Sequence, residues 1–136
     1  MSNKNFLIIG SNSFSGSHFV KKVLNLGFKV FGISRSKLPA NVFLPFTWGN
    51  KQHEESFKFK QLDLNKDLPQ FIELIDYFKP SYIVNFAAQG MVAESWLNPT
   101  HWYQTNVLSQ VALHDEIRKK DFIKSYVHIT TPEVYG

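Results

Sequence analysis

Two segments of this chain hold side chains whose types and spacing could do chemistry, and they stand at its opposite ends. The first, Gly10-Ser11-Asn12-Ser13-Phe14-Ser15-Gly16, directly follows the apolar run Asn5 to Ile9 and precedes residues of helical periodicity. In that setting a glycine turn bends the backbone tightly, lets it approach a pyrophosphate and aims the N–H groups of a helix start at the negative charge. Gly10 and Gly16 suit the turn and the helix–sheet contact, while Asn12, Phe14 and Ser15 fill the phosphate loop between them. Ser13 stands where a middle glycine is expected; its side chain is small and carries a hydroxyl donor, so close approach is still open to it. The second segment, Thr130-Thr131-Pro132-Glu133-Val134-Tyr135-Gly136, reads as half an active site, with the Thr131 hydroxyl and the Glu133 carboxylate as its polar groups.

A further checkpoint lies at the end of the next apolar run, where a carboxylate would hold the ribose hydroxyls of NAD. The residues there are Ser34-Arg35-Ser36-Lys37. Arg35 with the serine hydroxyls could instead hold a 2′-phosphate, so NADP is the expected cofactor and NAD the alternative. Asp63 could meet an adenine edge or cap a turn.

The elements that must position these residues follow from periodicity. Asn5 to Ile9 is an apolar run ending in Gly10, suited to a strand buried on both faces. Phe19, Val20, Val23, Leu24 and Leu26 recur at helical spacing, and Gly27 supplies a stop. Lys29 to Ser34 reads as a second strand, which completes a parallel crossover unit. Arg35 to Lys58, with Pro39, Pro45, Gly49 and Asn50, reads as an irregular connection. Phe59 to Leu62 is the third strand, and Pro69 opens a helix that ends before Pro80. Tyr82 to Ala87 is the fourth strand. Asn98-Pro99 reads as the N-cap and first turn of one long helix reaching Arg118-Lys119-Lys120, and Ser125 to Thr130 is the fifth strand. Strands alternating with helices predict an α/β fold with a Rossmann-like, doubly wound parallel sheet of five strands, residues 1–136 forming one domain.

Composition excludes several function classes. At 136 residues, 43% hydrophobic and 19% charged, the chain is ordinary for a globular domain, and its 13 Phe point to a bulky core. The net charge of +4 comes from scattered lysines and arginines, without the clustered stripe that nucleic acid requires. The apolar runs are too short for a membrane span. No leader pattern is visible and no Cys is present, so a soluble cytoplasmic protein is expected. His18, His53, His101, His114 and His128 are dispersed and predict no metal site. Trp96 and Trp102 read as packing anchors.

Together Gly10-Ser-Asn-Ser-Phe-Ser-Gly-Ser-His18, Gly32-Ile-Ser-Arg35, Asp63-Leu64, Val84-Asn-Phe-Ala-Ala-Gln89, Asn106 and Thr131-Pro-Glu-Val-Tyr-Gly136 resemble the extended short-chain dehydrogenase/reductases, in the NAD-dependent epimerase/dehydratase group. Within them the chain looks most like the N-terminal part of nucleotide-sugar 4,6-dehydratases of the GDP-mannose or dTDP-glucose type. The resemblance implies hydride removal from carbon 4 of a nucleotide-linked hexose, loss of water across carbons 5 and 6, and hydride return to carbon 6. It implies that Glu133 takes the carbon 5 proton, that Thr131 hydrogen-bonds the hydroxyl being oxidised, and that Leu64, Ala87, Ala88, Gln89 and Asn106 line the cofactor site. It also implies a homodimer through helices like the one from Pro99 to Lys120.

Two departures bear on the substrate. The dTDP-glucose branch places an aspartate where this chain has Pro132, which has no proton to donate, so the resemblance leans to the GDP-mannose branch. The family's Tyr-x-x-x-Lys pair and substrate-binding part would lie beyond Gly136, so residues 1–136 are expected to bind cofactor without turning over. Tyr135 is not that tyrosine; its family counterpart is mainly structural. An epimerase, a decarboxylase, a keto-sugar reductase or a noncatalytic dinucleotide-binding module are the alternatives.

Overall fold

The computed structural model describes residues 4–48, 52–131 and 135. Its sheet is set by β1 (Asn5–Ile9), whose alternate side chains serve two separate cores. Leu7 and Ile9 are buried on one face and Ile8 on the other, which is why this strand is apolar at successive positions rather than alternating. α1 (Phe14–Asn25) covers the Ile8 face with Val20, Val23 and Leu24. β2 (Lys29–Ser34) comes next and pairs with β1 in parallel.

The stretch expected to be an irregular connection is partly ordered. Two short 3-10 turns, Asn41–Phe43 and Pro45–Thr47, and α2 (Gln52–Ser56) lie within it. Leu44 and Phe46 are buried against the α1 face of the core, so apolar burial disciplines a proline-containing stretch that has no periodicity to announce it. β3 (Phe57–Gln61) starts earlier than expected because Phe57 pairs with Val30 and packs on Phe46, and Leu62 falls just past its end.

α3 (Leu68–Phe78) carries Pro69 in its first turn and closes at Lys79 in the left-handed conformation, φ 48°, before Pro80. It buries Phe71, Leu74 and Ile75 against the Leu7–Ile9 face. β4 (Tyr82–Asn85) is shorter than expected: the Asn85 side chain accepts a hydrogen bond from the Ala87 amide and turns the chain out of the strand. Next come α4 (Val92–Leu97), not expected from the sequence, and α5 (Pro99–Tyr103). Asn98 does not cap α5 with its side chain, which instead donates to Glu94 Oε2. Trp96 is 84% exposed and anchors nothing. The expected long helix continues through a π-helical segment, Gln104–Leu108, into α6 (Ser109–Ile117). β5 (Ser125–His128) ends the sheet, stopping short of Thr130.

All pairings are parallel and the order is β3-β2-β1-β4-β5. The chain therefore moves outward from β1 in one direction and then, after β3, in the other. A ligand crevice belongs at that reversal, above the carboxyl ends of β1 and β4.

Candidate functional site

The strand exits are held level by single hydrogen bonds that run on past the strands. The amides of Gly10, Phe86, Ile129 and Leu62 donate to the carbonyls of Ile33, Ile9, Asn85 and Ser34 respectively. Gly10 itself sits at φ +80°, and a Cβ there would lie 3.0 Å from the backbone of Phe86 and Ala87. At Gly16 a Cβ would fall 2.2 Å from the Gly10 carbonyl oxygen. Both positions therefore need glycine, one for conformation and space and one for space alone.

Ser13 corrects the expectation attached to it. Its hydroxyl donates to the Gly10 carbonyl at 2.8 Å and accepts from the Gly16 amide at 3.0 Å, which makes it the N-cap of α1 rather than a free donor. The amides of Phe14 and Ser15 remain without a partner among the described residues. Those two N–H groups at the start of a twelve-residue helix are the fit for a pyrophosphate. Phe14 is 83% exposed beside them.

Ser34 is buried and its Oγ accepts from the Asn12 amide at 3.0 Å, so it holds the turn while it lines the same cavity as Arg35. Asn12 in turn donates from Nδ2 to the carbonyls of Ser36 and Lys37, tying the β2 exit to the glycine turn. Arg35 is exposed, and its guanidinium has no hydrogen bond or ion pair among the described residues. Asp63 closes its own turn by accepting from the Asn65 amide at 3.0 Å. Leu64 is 8% exposed and packs in the core beneath the cavity it lines.

Gly10, Asn12, Ser13, Arg35, Asp63, Leu64 and Ala87 to Gln89 line one cavity of about 310 Å³. A second, of about 750 Å³, takes Ser13 to Ser15, Ala87 to Gly90, Asn106, Gln110 and His128 to Thr131. Ser13 and the Phe86 to Gln89 loop belong to both, so the two form one crevice over the strand ends, within the usual size of small-molecule sites. Thr131 is brought to its far end. Glu133 and Pro132 lie outside the described residues, and Tyr135 is 92% exposed.

Asn106, expected at the cofactor site, holds the Phe86 to Gln89 loop through both backbone groups of Gln89, at 2.8 and 3.0 Å. Its neighbours carry no motif and are not predictable from the sequence. Thr105 and Ser109, one helical turn apart, meet Asn65 after β3 at 2.9 and 2.8 Å. Gln110 reaches back to the carbonyls of Ala87 and Thr105, both at 3.2 Å. The π segment thus ties the loops after β3 and β4 to one helix, a common setting for such segments. Tyr126 and His128 stand next to this frame: burial raises the Tyr126 pKa against the lowering effect of the Asn85 hydrogen bond, and burial followed by His114 lowers that of His128. The histidines are not all apart, since the rings of His114 and His128 come within 6.3 Å. Only the polarity of Asn85 inside an apolar strand could have flagged this network.

A family model described as GDP-mannose 4,6 dehydratase matches residues 7–136. Bifunctional protein GAL10 of Candida maltosa is 32% identical over 139 residues, spanning 100% of this chain and 87% of that protein. The dTDP-glucose 4,6-dehydratase of Xanthomonas campestris pv. campestris (strain B100) is 28% identical over 141 residues, 96% of this chain and 38% of the enzyme. Among solved structures, UDP-glucose-4-epimerase from Stenotrophomonas maltophila, with bound NAD and formylated UDP-arabinopyranose, superposes with a TM-score of 0.80 over 98% of this chain and 38% of that one. At 23% identity that likeness shows the fold alone. No described helix is long and apolar enough to cross a membrane.

The role of Ser13 is separable by substitution. Ser13→Ala should destabilise the protein by about 1 kcal/mol and Ser13→Gly by only a few tenths, as for a helix cap. Urea unfolding of the two variants checks this; equal losses would mean that the hydroxyl does not cap α1.

Proposed function

The chain belongs to the GDP-mannose 4,6 dehydratase family, and from that premise we propose that it is the cofactor-binding part of a nucleotide-sugar 4,6-dehydratase working in the cytoplasm. The single observation that carries the reading is the continuous crevice from the Phe14–Ser15 amides to Thr131, roofed by the Ala87-Ala88-Gln89 loop. A nicotinamide dinucleotide bound there would supply reversible hydride transfer to and from the hexose. The chain's own residues hold and orient it: the α1 amides take the pyrophosphate, and Arg35 faces the ribose of the adenosine half. Thr131 hydrogen-bonds the hydroxyl on carbon 4. Glu133 takes the proton from carbon 5 once that position lies next to a ketone and passes it to the hydroxyl on carbon 6, which leaves as water.

This chain spans well under half of most relatives it matches, 38% of the Xanthomonas enzyme among them. We therefore assign residues 1–136 to the cofactor domain, and the sugar-binding part and the Tyr-x-x-x-Lys pair to sequence beyond Gly136. Incubating the full-length protein with GDP-mannose, dTDP-glucose or UDP-glucose should give a 4-keto-6-deoxy sugar, lighter by one water in mass spectrometry. A product of unchanged mass would replace this reading with an epimerase.

The unpaired guanidinium of Arg35 and the lack of a carboxylate at the β2 exit favour NADP over NAD. In calorimetry Arg35→Ala should weaken NADP about tenfold, the worth of one charged hydrogen bond, and leave NAD almost unchanged. Equal effects on the two would refute the preference. Tyr103, at the end of α5, with Val107 and Val111 on the π–α6 helix that continues it, forms an exposed apolar stripe at 68, 45 and 62% exposure, and it supports a homodimer. Val111→Glu should shift the full-length protein from dimer to monomer in sedimentation equilibrium; a wild-type monomer would sink the idea.

A further inference from the structure

At the Thr131 end of the crevice lies a hydrogen-bonded chain that the dehydratase reading leaves without a use. Asn85 is fully buried at the end of β4. Its Oδ1 accepts from the Ala87 amide at 2.8 Å, and its Nδ2 donates to Gln110 Oε1 at 2.7 Å and to the Tyr126 hydroxyl at 2.8 Å. Every hydrogen of Asn85 Nδ2 is thereby engaged. Because the Tyr126 oxygen accepts from Asn85, its own hydrogen is free to turn to His128 Nδ1, 3.3 Å away.

An imidazole that accepts at Nδ1 is neutral and carries its proton on Nε2. His128 lines the crevice with Gln89, Asn106, Thr130 and Thr131, and Nε2 has no partner among the described residues. With the Tyr126 hydrogen turned to Nδ1, the Nε2–H tautomer offers one oriented donor in the half of the crevice that holds Thr131.

We propose that His128 is a ligand-contacting residue of the crevice, its Nε2–H donating to an uncharged oxygen of the bound dinucleotide or sugar, and that Tyr126 is the positioning residue that fixes its tautomer. The shared chemistry is a carboxamide or hydroxyl acceptor. The inference rests on the crevice being a dinucleotide and nucleotide-sugar site.

The surroundings keep the imidazole neutral near pH 7. Partial burial and the neighbouring His114 both disfavour a proton on His128. His114 on α6 and Tyr126 on β5 are the titratable groups that face it, with ring centroids at 6.3 Å in each case. The rest of the cavity wall is uncharged among the described residues. Asp115, next to His114, is engaged by Arg118 at 2.6 Å and Lys119 at 2.9 Å. Acidification below the ordinary imidazole range puts a hydrogen on Nδ1, and the Tyr126 hydroxyl hydrogen must then turn away from it.

The first test needs no ligand. Long-range proton–nitrogen NMR of the full-length protein should find His128 as the Nε2–H tautomer at neutral pH, and Tyr126→Phe should return it to a mixture. The second is calorimetry with NADP alone and with GDP-mannose added to the NADP-loaded protein. His128→Leu should weaken binding roughly three- to tenfold, the worth of one neutral hydrogen bond. His128→Gln, whose amide N–H can stand in for Nε2–H, should restore most of it. A loss in the first titration assigns the acceptor to the dinucleotide, and a loss confined to the second assigns it to the sugar. An Nδ1–H tautomer, or unchanged affinity of His128→Leu in both titrations at every pH, overturns the inference and leaves the dehydratase reading standing. A wild-type protein that binds neither NADP nor NAD overturns both.

Discussion

Where β1 ends, backbone is packed on backbone. A Cβ carbon at Gly10 would lie 3.0 Å from the chain leaving β4, and one at Gly16 would fall 2.2 Å from the Gly10 carbonyl. Two strand exits and a helix start are thus brought to a spacing that only unsubstituted backbone can occupy, with Gly10 in a left-handed conformation at φ +80°. The rest of the crevice depends on this spacing. It puts the Phe14 and Ser15 amides over the Ala87 to Gln89 loop, so that the two cavities share a wall and become one site.

Around that contact the crevice is framed by amide side chains bonded to backbone. Asn12 binds the β2 exit, Asn85 turns the β4 exit, Asn106 holds both backbone groups of Gln89, and Gln110 reaches the Ala87 carbonyl. Apart from Asn12 Oδ1, which is buried without a partner among the described residues, these bonded groups make the site rigid, because moving one leaves another unpaired in a low-dielectric setting. Ser13 works in the same way: its hydroxyl closes the turn from inside, while the neighbouring amides stay open for a ligand. The π segment lets one helix serve the loops after β3 and β4 together.

The proteins this chain is similar to differ in outcome: a dehydratase is among its sequence relatives, and an epimerase shares its fold. That division is physically sensible. In the function proposed above a hydride leaves carbon 4 first, and the product then depends on the group that acts at carbon 5, the role proposed for Glu133. The glycine turn and the amide frame are compatible with either outcome.

Much of this was legible in the residues alone. The apolar runs in β1 and β4, the glycines of the first turn and the helical spacing between them point to a parallel sheet, because a strand apolar at successive central positions has no face for water. The absence of a carboxylate after β2 likewise needs no coordinates to be seen. Other features were settled only by folding. The shortened β4, the ordered stretch around Leu44 and Phe46, the capping by Ser13 and the burial of Ser34 arise from partners that local periodicity cannot register. The same holds for Asn106 on Gln89 and for the chain from Asn85 through Tyr126 to His128. Each is a polar side chain of no distinctive spacing, and its meaning comes from the strand or loop that the parallel crossovers lay beside it.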